Sequence, residues 1–370
     1  MRRAFGARVW ACVVVLEVVL LTAADPALAD GPTWVHTCPE LAGRTIHDLA
    51  ISPANGLHAM AASEIGVYRT LDGGDTWTEY SQGIALSDRN VLRLTQHAIA
   101  PWTVYAATED RIYRWEEGDA AWKEITVYLP VAVTHIASLT AAPSDQGRLY
   151  AVVAGNDHLL LVSCNGGYAW EQQAGNLEAE GWILPSAEPL GNSLVVADHD
   201  PDLILHARSA ALPQVLLTRN ADVQWSDISL PSNGIYALDM ASNGAPWPVY
   251  AGTSGSGVYA RASEADPWVA ASTNLPGNGS DVVRALIVHP ADADSVLAGV
   301  DEHGVYRSVN GGAWWEPYGE GLPMGSTFRV HAIALGTGGG VLHWAATSDG
   351  VWQTFGTPTY LAVILRYPLP

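Results

Sequence analysis

The chain has 370 residues, 48% of them hydrophobic, and carries 38 acidic against 18 Lys and Arg residues, a formal net charge of −20. That apolar content with dispersed charge excludes a disordered chain. A field of this sign repels phosphate backbones and excludes nucleic acid as a partner, leaving a basic or neutral one electrostatically easier.

In chain order, the first element is an export signal. Arg2, Arg3 and Arg8 precede an apolar stretch from Val9 to Ala24, and Ala27-Leu28-Ala29 forms a small-x-small cleavage site before Asp30. This is the layout of a secretory signal peptide over residues 1–29. A retained anchor is the alternative, but Glu17 would lie in the bilayer and the apolar run is short for a span of about 20 residues. Cleavage removes three arginines and two acids, leaving 15 basic and 36 acidic residues, a net charge of −21. No later run is long enough to span, since Gly356 and Pro358 break Val351 to Leu365. The expected location is secreted or periplasmic.

Residues 30–356 read as one repeat. A clear copy runs from the apolar Leu57-His58-Ala59-Met60-Ala61 through Gly66-Val67-Tyr68-Arg69-Thr70 to Leu71-Asp72-Gly73-Gly74-Asp75-Thr76-Trp77. It recurs as Ser163, Asn165, Gly166-Gly167 and Trp170, and as Ser308, Asn310, Gly311-Gly312 and Trp315, with weaker copies ending in Trp122, Trp225 and Trp268. With Trp34 the marker tryptophans stand at 34, 77, 122, 170, 225, 268 and 315, spaced 43 to 55 residues apart. Repeats of this length signal solenoids or propellers. Each unit holds four short apolar runs; in the first, strand A is Ile46 to Ile51, B is Leu57 to Ala62, C is Val67 to Thr70, and D starts at Trp77.

Trp34 lacks strands before it, and the final pair, Leu342 to Ala346 and Val351 to Phe355, lacks a marker after it. The two defects cancel if the N-terminal strand completes the last blade. The fold class is therefore all-β: a seven-bladed β-propeller of four-stranded antiparallel blades, a ring with no open edge between its ends. A β-sandwich, the competing architecture, has no reason to repeat a Trp seven times.

In each good turn an Asp or Asn side chain can accept from the turn's own N–H groups, and an adjacent glycine supplies positive φ. The acids around Asp72 and Asp75 are too few for a calcium loop, which needs about six to eight oxygens. The pattern from Thr70 to Trp77, Ser/Thr-x-Asp-x-Gly-x-Thr-Trp, resembles the Asp-box or BNR repeat. Ser163 to Trp170 and Ser308 to Trp315 match it with Asn for Asp and without the penultimate Thr. Families with this box include sialidases, two-propeller xyloglucan hydrolases, sortilin-type receptors and photosystem II assembly factors of the YCF48 type. A sialidase would require an early Phe/Tyr-Arg-Ile-Pro motif, absent here, where Phe328-Arg329-Val330-His331 comes late and lacks the Ile-Pro. A xyloglucan hydrolase requires two propellers. The single-propeller assembly factors fit in layout, although they carry a basic patch and this chain is acidic.

Aligned on strand A, the repeats place His47, Arg93, His135, Val195, Tyr236, Arg284 and His331 at one position. Strand A is innermost, so this position should ring the mouth of the central channel. Read functionally, the ring is a polar, partly cationic funnel for a carboxylate or peptide end; read structurally, it is a set of solvated side chains. A metal is not implied, because three histidines in non-adjacent blades are too far apart for Zn–N bonds near 2.1 Å, and neither is any cofactor. The B–C turns on the same face carry Glu64, Glu109, Asp110, Asp157, Asp301, Glu302 and Asp349, which turn chemistry explains. Arg69, Arg114 and Arg307 recur on strand C, one per blade, and are expected in inter-blade ion pairs or hydrogen bonds. Cys38 and Cys164 fall in different blades, beyond the ~7 Å Cα separation a disulfide allows.

The 55-residue gap before Trp225 places its surplus, residues 175–192, in a D–A loop on the funnel face. Trp182 in that loop has no repeat partner and is a candidate binding anchor. The tail, residues 357–370, reads as an extra strand. Altogether the sequence points to a monomeric, non-catalytic exported module that binds a protein, peptide or glycan. The alternative is a BNR-type glycoside hydrolase working through loop carboxylates, although no nucleophile–base pair stands out.

Overall fold

The computed structural model describes residues 32–37, 39–97, 101–154, 158–172, 194–197, 200–208, 214–219, 225–230, 234–241, 247–338 and 341–355. These form seven four-stranded antiparallel sheets. Blade 1 runs A to D as Ile46–Ile51, Ala59–Ser63, Gly66–Thr70 and Thr78–Glu79. Strands A of blades 2 to 7 are Arg93–Gln96, His135–Ala141, Leu194–Ala197, Ile235–Met240, Val283–His289 and Val330–Gly338. Blade 7 takes its outer strand from the other end of the chain: Trp34–His36 pairs antiparallel with Gly350–Phe355, Trp34 opposite Thr354 and His36 opposite Trp352. The expected closure is therefore the observed one. The expected strand B starts two residues early and ends one early, and strand D begins one residue after Trp77.

Apolar residues form seven clusters, each between consecutive blades. One packs Ile46, Leu49 and Ala61 of blade 1 against Trp344, Ala346 and Val351 of blade 7. A strand in such a stack is covered on both faces, which is why Ala59–Ser63 is buried throughout and shows no polar alternation.

The marker tryptophans lock blade to blade. Trp34 Nε1 donates to Tyr318 O at 2.7 Å, Trp77 Nε1 to Thr37 Oγ1 at 3.1 Å, Trp122 Nε1 to Tyr80 O at 2.7 Å and Trp315 Nε1 to Ala271 O at 2.7 Å. Trp268 Nε1 donates to Ile228 O in the same way. In all five the acceptor lies at or just after strand D of the preceding blade. Each indole thus buries its ring and satisfies its only donor with one contact. Trp170 instead turns back to Gly167 O, at 2.9 Å.

The C–D turns of blades 1, 3 and 6 share one hydrogen-bond set. Gly74 N donates to Thr70 Oγ1 at 2.9 Å and Thr76 N to Asp72 Oδ1 at 3.0 Å. Gly167 N to Ser163 Oγ (2.9 Å) with Ala169 N to Asn165 Oδ1 (2.8 Å), and Gly312 N to Ser308 Oγ (2.8 Å) with Trp314 N to Asn310 Oδ1 (2.9 Å), repeat it. Only Asp72 also receives a second side chain, Thr76 Oγ1 at 2.5 Å. Asp72→Asn should therefore cost little, since Asn serves at 165 and 310. Asp72→Ala should cost about 1–2 kcal/mol by leaving turn donors unmet; urea denaturation of the two variants checks this, and equal midpoints would refute it.

Of the recurrent strand C arginines, Arg114 makes the expected inter-blade hydrogen bond, and all three also contact aromatic rings. Arg69 lies over the rings of Tyr80 and Trp115, 5.0 Å from each centroid, and Arg307 over Tyr318 at 5.7 Å. Arg114 reaches Tyr168 in the next blade, both over its ring at 5.4 Å and to its hydroxyl at 3.3 Å, besides pairing with Glu116. Cation–π contact is the common element, supplied by tyrosines just after strand D (Tyr80 and Tyr318), by Trp115 and by the C–D turn Tyr168. Cys164 is an exposed free cysteine. Cys38, the signal segment 1–29 and the tail 357–370 lie outside the described residues. Among the described residues, no helix is long and apolar enough to cross a membrane.

Candidate functional site

The site is built on a recurring irregularity of strand A. In blades 1, 5, 6 and 7 the A–B pairing skips one residue: Ile46 and Asp48 pair but His47 does not, and Tyr236, Arg284 and His331 are passed over in the same way. A β-bulge of this kind re-aims the extra side chain, here at the start of the innermost strand. Four of the predicted ring residues thus occupy one structural position.

Arg93 and His135 do not share it. In blade 3 the skipped residue is Ala137, two beyond His135. In blade 2, Arg93 faces Ala107 just before Thr108, whose hydroxyl donates to Arg111 O across the B–C turn. Blade 1 has Asp48 facing Ala62 just before Ser63, whose hydroxyl donates to Gly66 O. Arg93 is therefore the counterpart of Asp48, one place past the bulge. Spacing from the tryptophans misplaces both residues because the D–A loops differ in length while the bulge stays fixed to the B–C turn.

The ring members meet in pairs. Arg284 lies 4.5 Å over the Tyr236 ring, and its Nε donates to Asp301 Oδ2 at 2.7 Å; Arg329 Nε reaches the same oxygen at 3.2 Å. Asp301, expected to be only a turn residue, is thus the shared counter-ion of two arginines. His47 and His331 stack edge to face with ring centroids 6.1 Å apart. The expectation that the histidines stand in non-adjacent blades is corrected for these two: the ring closes blade 7 onto blade 1. Among the described residues, no three His, Cys, Asp or Glu side chains are placed to hold one ion. His135 makes no ring or ion-pair contact with the other members among the described residues, and Trp182 lies outside them.

Burial, His47 and the arginines Arg284, Arg93 and Arg329 push the His331 pKa down to about 3. Burial raises Asp48, against the pull of Arg93 and the two N–H groups it accepts, Leu49 N at 2.9 Å and Leu94 N at 3.0 Å. The second bond crosses from blade 1 to blade 2. Asp239 makes the same bracket from blade 5 to blade 6, accepting Met240 N at 2.9 Å and Val288 N at 2.7 Å. Thr95 Oγ1 accepts Ala141 N from blade 3 at 2.9 Å. These side chains staple the channel wall; Asp239 and Thr95 share one repeat position but differ in residue type, and Asp48 stands two places earlier, so no common letter marks them in the sequence.

Below the mouth the channel encloses about 430 Å³. Arg93, Asp48, Arg284 and His331 line it with apolar side chains including Leu94, Val195, Leu286 and Ile333. Around the mouth, D–A loops carry exposed apolar residues: Leu86, in a one-turn 3-10 helix at Leu86–Asp88, Val127 and Tyr128 in another at Thr126–Tyr128, and Met324.

This geometry belongs to a seven-bladed propeller whose polar channel mouth opens at the D–A and B–C loops. No family model matches the sequence, and no curated protein matches it. The chain is similar in fold to YCF48 from Cyanidioschyzon merolae (TM-score 0.64, 17% identity, covering 87% of this chain and 98% of that one). It is also similar to a structure of YCF48 bound to D1 peptide (TM-score 0.63, 13% identity, 90% and 97%). A third neighbour is the GH74 xyloglucanase from Xanthomonas campestris (TM-score 0.68, 16% identity, covering 90% of this chain), of which the chain spans 54%, about half. At these identities the likeness is one of fold.

Proposed function

We propose that this protein is a non-catalytic, exported binding module that engages a protein or peptide through the D–A and B–C loop face. The observation that carries the reading is the composition of that face. Leu86, Val127, Tyr128 and Met324 stand 83%, 68%, 45% and 70% exposed on loops around a mouth that also presents arginine, histidine and tyrosine. Apolar anchors around polar, orienting groups are the usual make-up of a binding surface, and among the described residues only this face joins them to the arginines and histidines of the channel mouth. A propeller solved with a peptide bound has the same fold, whereas the GH74 xyloglucanase that also shares it is matched over only 54% of its length. Trp182, in the long loop entering blade 4, is the further anchor in this reading.

The test is affinity capture from the native extracytoplasmic fraction, followed by loop variants. Tyr128→Asp and Trp182→Ala should each weaken the captured partner by about 2 kcal/mol or more, the scale of an aromatic hot spot. Leu71→Asp, an exposed C–D turn on the opposite face, should leave binding intact. Equal loss in all three, no loss in the first two, or hydrolysis of a glycan panel that is abolished by neutralising one loop carboxylate would overturn the proposal.

A further inference from the structure

The mouth holds two buried polar atoms that the protein does not satisfy. Arg93 Nη2 and His331 Nε2 are enclosed without a hydrogen-bond partner, and Arg93 forms no side-chain ion pair or hydrogen bond among the described residues. Its nearest acid, Asp48, is already committed to Leu49 N and Leu94 N. Asp48 attracts Arg93 without hydrogen-bonding it, and an enclosed N–H left without an acceptor is costly and calls for an anion or water. The neighbouring charges do not supply one. Asp301 is divided between Arg284 and Arg329, Glu302 reaches Arg329 only at 3.8 Å from an exposed position, and Asp239 serves two backbone N–H groups. Arg93, Arg284 and Arg329 thus face two enclosed carboxylates at the mouth, Asp48, engaged by two backbone N–H groups, and Asp301, engaged by Arg284 and Arg329.

A divalent cation does not fit here: it would face Arg93, Arg284 and Arg329. Water alone would satisfy the donors but leave the charge. Beside the two donors the channel wall offers apolar side chains, Leu49, Leu94, Val195 and Ile333, interspersed with Thr95, Gln96, Thr140 and Asp239. Its volume of about 430 Å³ is within the range of small-molecule sites, ~300–1,000 Å³. We propose that the channel mouth binds a small amphipathic carboxylate, its head between Arg93 and His331 and its apolar body directed down the channel. Arg93 donates from Nη2, and His331 donates from Nε2 when that nitrogen carries the ring proton. The site lies within the face assigned to binding above and rests on that reading, naming a ligand class for its centre.

The test is calorimetric titration of the purified protein with octanoate, acetate and octanamide. Octanoate should bind at least tenfold more tightly than either of the others, because only it carries both head and tail, and excess acetate should displace it. Arg93→Gln and His331→Gln should each weaken octanoate at least tenfold. Arg93→Lys, which keeps the charge and loses the fork, should fall between Arg93→Gln and the parent. No octanoate binding, equal binding of octanamide, or unchanged binding in both glutamine variants would overturn the proposal. If a variant fails to fold, the acetate competition on the parent decides alone, and absence of displacement refutes the anion site. Partner capture by the loop face is measured separately: its persistence with no octanoate binding would sink the carboxylate site and leave the binding module standing.

Discussion

Trp34→Ala should lower stability by about 3–5 kcal/mol, the usual cost of emptying a large aromatic site, or roughly 5–8 °C in melting temperature for a domain of this size. Deletion of residues 30–43 should do more, abolishing a single cooperative transition. Trp34 is 2% exposed, packs edge-on against Tyr318 at 6.5 Å and donates to its carbonyl. Its own N–H donates to Glu320 O at 2.7 Å, so the strand is held by blade 6. Thr37, just beyond it, accepts the Trp77 indole from blade 1. The N-terminal strand is thus held by both neighbours as well as by its pairing with Gly350–Phe355. Without it that strand becomes an open edge, and the deleted protein should self-associate through it. Calorimetry with size-exclusion chromatography measures both effects; a deletion variant that melts like the parent and stays monomeric would refute closure as the source of stability.

How far the sequence could be read follows from which features repeat. The seven tryptophans were legible because each repeats the same packing, and most repeat the same indole hydrogen bond to the preceding blade. The turn around Asp72 was legible because its hydroxyl, carboxylate and glycine act within eight residues. The channel mouth was legible only in part. His47, Tyr236, Arg284 and His331 share a bulge, but a bulge leaves no mark in sequence, and loop length rather than the bulge sets the distance from each tryptophan. Arg93 was therefore picked out as a ring member although it sits one place along, where it acquires its particular relation to Asp48. The contact of His47 with His331 spans 284 positions and follows from the closure itself. The Asp48 and Asp239 brackets stand at different registers, and the Thr95 bond that shares the register of Asp239 uses another residue type, so alignment of the blades passes over them.

The second large effect is loss of stability in mild acid. Three histidines sit in the fold with pKa values below the ordinary 6.5: His97, depressed chiefly by burial; His343, down to about 4 through burial and then Arg307 and His289; and His331, down to about 3. The surroundings fit neutral rings. The Tyr318 hydroxyl can donate to His343 Nδ1 at 3.1 Å only while that nitrogen is unprotonated. The unfolded chain protonates these residues near pH 6.5, before the folded one does, so the stability they confer is complete above that pH and drains as pH falls towards 4 and 3. Each pH unit costs about 1.4 kcal/mol per group. From pH 6.5 to 4.5 the loss should be about 2–5 kcal/mol, taken below the sum because His331 faces the solvent-filled channel. Asp48 opposes this: its raised pKa means the folded state takes up that proton first, a gain on acidification. Urea denaturation at pH 7.5 and 4.5 measures the difference. His343→Gln should make the dependence shallower by about one proton over this window, at whatever cost in absolute stability. If the His343→Gln protein loses as much stability as the parent between the two pH values, the acid sensitivity arises elsewhere, and the imidazole accepting from Tyr318 is not its source.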